Sequence, residues 1–343
     1  MTKERIYKDQ KETRYREKLA ERLTEFPGFV GEYIYAQVAH GLAPRTAYGY
    51  LTDLQVFFFY LDEKRAQVIT DAIQLYRLAP SVYDEYIVFL DRYARGGRIY
   101  TNGREAKNRK LIALRNLYSF LYARGYFPSD ISSRINLIRQ RRHNPKDIKN
   151  LPPARLQDVL RIASTQEGLP KHSGKKNRLR DTAILTLLIY TGIRVDECVG
   201  LDLEHYLPKE RTILIYPKGY ASDSKPERMG IIQKCCEALD AYILNERKSS
   251  ETDPHAMFIS GKKERMSESA MERMIRKYFT AAGIDPKYTP HSLRRTYGTA
   301  LYEATNHDLV AVARRLHHKS VTTTEQRYIG SEEHKVSDID PYK

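Results

Sequence analysis

Near the C-terminal end, residues 289–305 read TPHSLRRTYGTALYEAT and place one histidine and two arginines close together, at His291, Arg294 and Arg295. An imidazole exchanges a proton near neutral pH, and a guanidinium is a planar, permanently charged fork that binds phosphate oxygens in pairs. Together these groups suit chemistry at a phosphate ester. On a helix His291 and Arg294 share one face because they lie three positions apart, whereas Arg295 points elsewhere. A basic helix face is usually just solvated, so this stretch alone does not establish a site.

Four further segments carry groups of the same kind. They are TGIRVDE (191–197), YPKGYASDSKPER (216–228), RRLHHKS (314–320) and TTTEQRYI (322–329). Each is weak alone, because a Thr-Gly-x-Arg turn is common, a hairpin lysine is usually a surface residue and a helical histidine is usually structural. Their joint order and spacing is the specific signal.

In that order the segments resemble the tyrosine site-specific recombinases, the integrase family that includes the Xer-type resolvases and Cre-like enzymes. The family carries an arginine, a lysine, His-x-x-Arg, a second histidine and a tyrosine nucleophile. Mapped residue by residue, the resemblance assigns as catalytic Arg194, Lys218, His291, Arg294, His318 and Tyr328, with Glu197 at the supporting acidic position. It covers nearly the whole chain, from about residue 30 to 330.

Three positions depart from the family pattern. Arg295 stands where the family usually shows another histidine, and His317 replaces the glycine that commonly precedes the second histidine. The span from His318 to Tyr328 is one residue longer than usual. We favour His318 over His317 and retain Tyr328, because the only other tyrosine after His318 is Tyr342 in the tail.

Phosphodiester cleavage by a tyrosine requires cationic groups at the phosphate and a base for the phenol. Arg194 and Arg294 would clamp the extra negative charge of a phosphorane-like transition state. A phenol has a pKa of about 10, so Tyr328 needs a base, and His291 is the candidate.

Two further roles complete the reaction. Lys218 would protonate the leaving 5′-oxygen, and His318 would hydrogen-bond the phosphate. A covalent 3′-phosphotyrosine conserves the energy of the cut bond, so neither ATP nor another cofactor is expected. The sequence shows no P-loop and no acidic cluster for a metal.

Composition points to a polyanionic partner. The chain has 343 residues and a formal net charge of +15, which favours a nucleic-acid partner over a charge that only aids solubility. Its three cysteines show no metal-ligand or disulfide spacing and suit a reducing compartment. No secretory signal or membrane-length apolar run is seen, so we expect a soluble cytoplasmic protein.

The N-terminal half reads as an all-helical DNA-binding domain. Helical spacing recurs in residues 44–61, 81–97 and 104–125, with the second helix capped at Ser81 and closing on the glycine pair 96–97. The third resembles the DNA-facing helix of the family. Candidate DNA contacts on this helix and in the basic stretch after it are Lys107, Arg109, Lys110, Arg115, Arg141 and Arg142.

The second half changes character. Residues 178–190 form an apolar helix, a short helix follows from about Val195, and residues 212–219 and 228–232 read as paired strands. The predicted fold is therefore mainly α, with a helical core-binding domain and a mixed α/β catalytic domain. The predicted boundaries are an arm (1–25), the core-binding domain (26–138), a basic linker (139–153), the catalytic domain (154–330) and a tail (331–343).

The resemblance implies a C-shaped clamp on DNA and a homotetramer that exchanges strands between paired specific sites through a Holliday junction. Its biological role would be Xer-like dimer resolution or the integration and excision of a mobile element. Two alternatives remain: relaxation of DNA as in type IB topoisomerases, and a non-catalytic DNA-binding regulator with the same fold. Covalent trapping separates enzyme from binder, and dependence on a defined site separates recombinase from topoisomerase.

Overall fold

The chain divides into two compact units, residues 1–142 and 143–343. The computed structural model describes residues 6–139, 150–169, 177–216 and 225–317. Both units are helix-rich and each carries one small antiparallel sheet, which confirms the mainly α class with small sheets. Within the described ranges, no helix is long and apolar enough to cross a membrane. The clamp that the resemblance implies stays a prediction.

The N-terminal unit is a helical bundle with one hairpin. Its elements are α1 (Ile6–Leu23), α2 (Gly28–Ala39), α3 (Pro44–Arg65), α4 (Ala72–Tyr76), α5 (Ser81–Phe89), β1 (Arg92–Arg95), β2 (Arg98–Thr101) and α6 (Arg104–Ala123). Helix α1 lies in the predicted arm and packs on α3, with Leu19 buried. The apolar stripe of α6 is fully buried, as its spacing predicts: Leu111, Leu114, Leu117 and Leu121.

The prediction that this unit is all-helical is wrong at one place. Helix α5 ends at Phe89, and β1 and β2 form an antiparallel hairpin in which Arg95 pairs with Arg98. Gly96 and Gly97 make the two-residue turn, with φ of 54° and 73°. Positive φ at both central positions is the geometry of the tight hairpin turn, so the glycines reverse the chain instead of ending a helix.

The C-terminal unit is built around one buried helix. Its elements are α7 (Pro153–Thr165), α8 (Arg178–Thr191), α9 (Val195–Val199), β3 (Tyr206–Leu207), β4 (Thr212–Ile215), β5 (Glu227–Gly230), α10 (Gln233–Asn245), α11 (Glu268–Ala281), α12 (Pro290–Ala304) and α13 (Leu309–Arg315). Helix α8 is apolar nearly all round and packs against α7, α10 and α12, as expected of a central helix. The strands pair antiparallel in the order β3-β4-β5, which confirms the predicted hairpin.

Candidate active site

The first arginine of the site lies at the start of a short helix. Arg194 immediately precedes α9, and Glu197 sits in the first turn. Glu197 Oε2 accepts a hydrogen bond from the Arg194 backbone N–H at 2.7 Å, and its Oε1 accepts one from Arg194 Nη1 at 2.5 Å. The Glu197 side chain is 1% exposed and that of Arg194 is 24% exposed. One buried carboxylate therefore caps the helix and holds the guanidinium, whose outer part stays open to solvent.

The second arginine reaches the same carboxylate from a distant part of the chain. Arg294, on α12, is almost fully buried. Its Nη1 donates to the Gly192 carbonyl at 2.8 Å and lies 3.9 Å from Glu197 Oε2. Its Nη2 donates to the carbonyl of Leu316, just beyond α13. Glu197 thus lies between two guanidiniums, and Arg294 ties together the ends of α8 and α13.

Gly192 makes this approach possible. Its φ of +66° is left-handed, and a Cβ at this position would lie 2.4 Å from Cδ1 of Tyr297 on α12. Only glycine satisfies both the backbone conformation and the close packing of α12. The structure therefore explains the glycine of the TGIR segment: Gly192 ends α8, and its carbonyl accepts a hydrogen bond from Arg294.

His291 lies in the first turn of α12, one turn before Arg294. Thr289 caps the helix, and its backbone N–H donates to Ser292 Oγ at 3.1 Å, while Pro290 occupies the first helical position. The His291 side chain is exposed, whereas Arg294 is buried. The helix therefore carries a solvent-facing imidazole beside a fixed guanidinium, an arrangement suited to proton transfer next to a bound phosphate.

The end of α13 is tied to the sheet. Arg315 donates to the hydroxyl of Tyr297 at 3.0 Å and to the carbonyl of Gly230 at 2.8 Å. His317 follows with a φ of +49°, and its buried side chain contacts the Glu227 carboxylate on β5. A left-handed backbone is adopted most easily by glycine, which is a physical reason for glycine at this position, whereas His317 adopts the same backbone with a side chain.

The remaining predicted catalytic residues, Lys218, His318 and Tyr328, lie outside the described residues, as do Arg141 and Arg142 of the predicted linker. The described part of the site therefore brings together Arg194, Glu197 and Arg294, with His291 on the same helix as Arg294. The catalytic roles of all these residues stay predictions. Among the described residues, no group of three or more His, Cys, Asp and Glu side chains could hold a metal ion.

Two of the predicted DNA contacts in the N-terminal unit are buried. Lys107 Nζ lies 2.6 Å from the Asp91 carboxylate, and Lys110 Nζ donates to Asn102 Oδ1 at 3.2 Å. Burial lowers the pKa of Lys110, and the Asp53 carboxylate, 3.6 Å away, offsets part of that shift. These lysines fix the base of the β1–β2 hairpin on α6, which residue spacing alone did not reveal.

Arg109 and Arg115 keep more access to solvent. Arg109 binds Asp53 through two hydrogen bonds of 2.8 and 2.9 Å, and this bonding raises the pKa of its guanidinium. Its side chain is nevertheless 65% exposed, and Arg115 is half-buried. Contact of either residue with DNA stays a prediction.

Comparison with known proteins gives matches along most of the chain. The model of the phage integrase family matches residues 151–335. The tyrosine recombinase XerC of Caldanaerobacter subterraneus subsp. tengcongensis is 27% identical over 312 residues, covering 88% of this chain and 82% of that protein. XerC of Thermodesulfovibrio yellowstonii is 31% identical over 223 residues, covering 63% of this chain and 68% of that protein.

Solved structures share the fold. A post-cleavage complex of the XerH site-specific recombinase on its palindromic difH substrate matches with a TM-score of 0.65 and 18% identity, over 86% of this chain and 79% of that one. The Tn1549 transposon integrase in complex with a circular intermediate DNA matches with a TM-score of 0.61 and 16% identity, over 90% of this chain and 99% of that one.

Proposed function

The chain belongs to the phage integrase family, and we propose that it cuts and rejoins duplex DNA through a covalent bond between Tyr328 and a 3′-phosphate. It is a tyrosine recombinase, an enzyme of site-specific DNA recombination. The proposal therefore concerns which residues perform the reaction and how.

The observation that carries the proposal is the sharing of Glu197 by Arg194 and Arg294. Two guanidiniums in one place repel each other unless a carboxylate lies between them. Glu197 supplies that charge from a buried position and fixes both forks before substrate arrives. Arg194 presents its partly open side, where N–H groups can meet the non-bridging oxygens of one phosphate.

In the proposed reaction the Tyr328 oxygen attacks phosphorus. The new bond joins that oxygen to phosphorus, and the bond from phosphorus to the 5′-oxygen breaks. His291 accepts the phenolic proton, and Lys218 gives a proton to the leaving 5′-oxygen. Arg194, Arg294 and His318 stabilise the charge on the non-bridging oxygens. Attack by a 5′-hydroxyl from a partner strand reverses these steps and joins the exchanged strands.

The proposal extends to assembly and location. A homotetramer on two paired recombination sites would hold four such centres and pass through a Holliday junction. The protein would act in the cytoplasm on duplex DNA, in dimer resolution or in moving a mobile element. DNA relaxation is not favoured, because the helical N-terminal unit with its α6 helix resembles that of a recombinase. Non-catalytic binding is not favoured, because the chain carries all six predicted catalytic residues.

The test is covalent trapping. A duplex selected by binding from a pool of genomic fragments is labelled and nicked just downstream of the cleavage position. Loss of the short 5′-hydroxyl fragment then leaves the protein attached to the label, which a denaturing gel detects. We expect an adduct with the wild-type chain and none with Tyr328→Phe.

One control variant and two contradicting outcomes define the result. Tyr342→Phe removes the other tyrosine that follows His318 and should leave the adduct intact. An adduct that survives in Tyr328→Phe and disappears in Tyr342→Phe would contradict the assignment of the nucleophile. No adduct on any duplex that the protein binds would contradict the covalent reaction itself.

A further inference from the structure

The β1–β2 hairpin, residues 92–101, carries three arginines and no acidic residue, and is called here the arginine hairpin. Arg92 and Arg98 are exposed and Arg95 is half-buried. Among the residues that the structure describes, no carboxylate forms an ion pair with any of the three. The hairpin therefore presents concentrated positive charge that no described carboxylate compensates.

Two of these arginines face each other. Arg95 and Arg98 are direct partners across the strands, next to the Gly96–Gly97 turn. Like charges directly opposite in an antiparallel pair destabilise the pairing. The Arg95 guanidinium also lies over the ring of Phe59, 5.2 Å from its centroid, so its position is restrained. A repulsive pair of which one member is restrained is suited to binding an anion between or beside its two guanidinium groups.

The hairpin is firmly attached to the unit. Asn102 donates to the Leu90 carbonyl at 2.8 Å and accepts from Lys110, so the two ends of the hairpin are bonded at its base. The rings of Tyr93 and Tyr100 stack across the strands with centroids 5.2 Å apart. This anchoring means that the arginines are carried on a preorganised ribbon, so little ordering is needed when a partner binds.

No element among the described residues covers the other face of the ribbon. Arg92, Ala94, Ile99 and Thr101 alternate onto it and all are exposed, with Ile99 62% exposed. A two-stranded ribbon is one of the shapes that the major groove of DNA admits. Of the three arginines only Arg92 lies on this face, whereas Arg95 and Arg98 lie on the face of Tyr93 and Tyr100, at the end next to the turn. Positive charge is thus presented on both faces of the ribbon without an acidic residue, which disfavours a basic partner and fits a polyanion.

We propose that the arginine hairpin is a second DNA-contacting element of the N-terminal unit, in which Arg95 and Arg98 bind backbone phosphates of the duplex. It lies beside the start of α6, the helix predicted to face DNA, and its base is bonded to that helix by Lys107 and Lys110. The inference depends on duplex DNA as the substrate and is independent of the nucleophile assigned above.

The test is the salt dependence of binding to a synthetic duplex of arbitrary sequence. Each phosphate contact releases counterions, so the logarithm of the binding constant falls linearly with the logarithm of the salt concentration, by about 0.9 for each contact. Arg95→Gln/Arg98→Gln in the full chain should therefore reduce the steepness of this line by about 2. A thermal melt of each variant verifies that the fold is retained.

A matched control distinguishes contact from net charge. Arg77→Gln/Arg124→Gln removes the same charge outside the hairpin, since Arg77 directly follows α4 and Arg124 directly follows the C-terminal end of α6. Arg124 lies over the Phe120 ring at 5.4 Å, as Arg95 lies over Phe59, and Arg77 is exposed like Arg98. The proposal expects a smaller change in slope for this control than for the hairpin variant.

Equal changes in the two double variants would overturn the proposal, since they would reflect the overall field of the protein. An unchanged slope in the hairpin variant would also overturn it. Neither outcome concerns the covalent adduct of Tyr328. The binding experiment tests the role of the hairpin, and the trapping experiment separately tests the proposed reaction.

Discussion

Each unit contains a buried carboxylate that contacts two cationic side chains beside its predicted functional residues. In the C-terminal unit Glu197, 1% exposed, contacts Arg194 and Arg294. In the N-terminal unit Asp53, 2% exposed, binds Arg109 through two hydrogen bonds and lies 3.6 Å from Lys110. The local electrostatics are alike. Each carboxylate compensates two cationic side chains, which would otherwise repel each other or lie buried without a counter-charge.

The surroundings separate the two clusters. Glu197 lies where α8, α9, α12 and the end of α13 converge, and its partner Arg294 shares α12 with the exposed His291. Asp53 joins α3 to α6, and its partner Lys110 is bonded to Asn102 at the base of the hairpin, so the cluster has a structural role. A buried ion cluster is therefore not by itself a catalytic signature. The difference lies in which other chemical groups the fold brings to its open side.

The largest effect should follow removal of the Glu197 charge. Glu197→Gln keeps an acceptor for the Arg194 N–H but leaves two arginines without a counter-charge. We expect the rate of adduct formation on a nicked duplex to fall about 100-fold, because both transition-state clamps lose their fixed orientation. The free energy of unfolding should fall by about 3–5 kcal/mol.

Asp196→Asn is the matched control, since it removes an acidic residue from the same helical turn. Single-turnover adduct formation and urea unfolding measure both variants. A Glu197→Gln chain that cleaves at the wild-type rate would show that the carboxylate does not orient the arginines, and the contrast with Asp53 would disappear.

Asp53→Asn should affect stability and spare the chemistry. It leaves the desolvated Lys110 ammonium without its carboxylate, so we expect the N-terminal unit to lose about 2–3 kcal/mol of unfolding free energy. Hydrogen exchange followed by mass spectrometry assigns the loss to that unit. Once DNA is bound at saturating protein, the rate of adduct formation should match the wild type.

The control here is Asp91→Asn, whose partner is Lys107 but whose own carboxylate is largely exposed. Lys107 is only 8% exposed, so this pair is intermediate between an exposed and a buried one, and the variant should lose less unfolding free energy than Asp53→Asn, about 1 kcal/mol. A slowed cleavage step in Asp53→Asn at saturation would mean that the two clusters do not differ in function as described.

The smallest effect concerns two glycines. Gly192→Ala places a Cβ at positive φ and against Tyr297, which should cost about 2 kcal/mol and slow adduct formation. Gly49→Ala in α3 meets nothing within 4 Å and should stabilise the chain by about 0.5–1 kcal/mol. Urea unfolding measures both changes. A neutral Gly192→Ala would contradict the close approach of α12 to the end of α8.

The sequence predicted the secondary structure of the C-terminal unit better than that of the N-terminal unit. The apolar run of α8, the Thr-Gly-x-Arg turn and the strands β4 and β5 all form where their patterns indicate. These signals are local, since helical periodicity and turn glycines depend on neighbouring residues. In the N-terminal unit the same reasoning placed residues 81–97 in one helix, because a glycine pair ends a helix as readily as it turns a hairpin.

The lysines of α6 show a second limit of prediction from the sequence. Lys107 and Lys110 alternate with Arg109 on a helix whose leucine stripe is clear, so the sequence indicated a basic exposed face. Their partners, Asp91, Asn102 and Asp53, belong to other elements. Helical spacing reports which side chains share a face and carries no information on what an adjoining hairpin places over that face.

The sequence by itself determined the family, the mainly α class and the order of the chemical groups along the chain. These follow from residue types and spacing, which are properties of the linear chain. Only the tertiary structure decided that Glu197 lies between Arg194 and Arg294, that Asp53 plays the matching part in the other unit, and that the arginine hairpin is exposed. Those facts depend on the packing of distant segments, because burial and pairing are set by whichever elements meet in space.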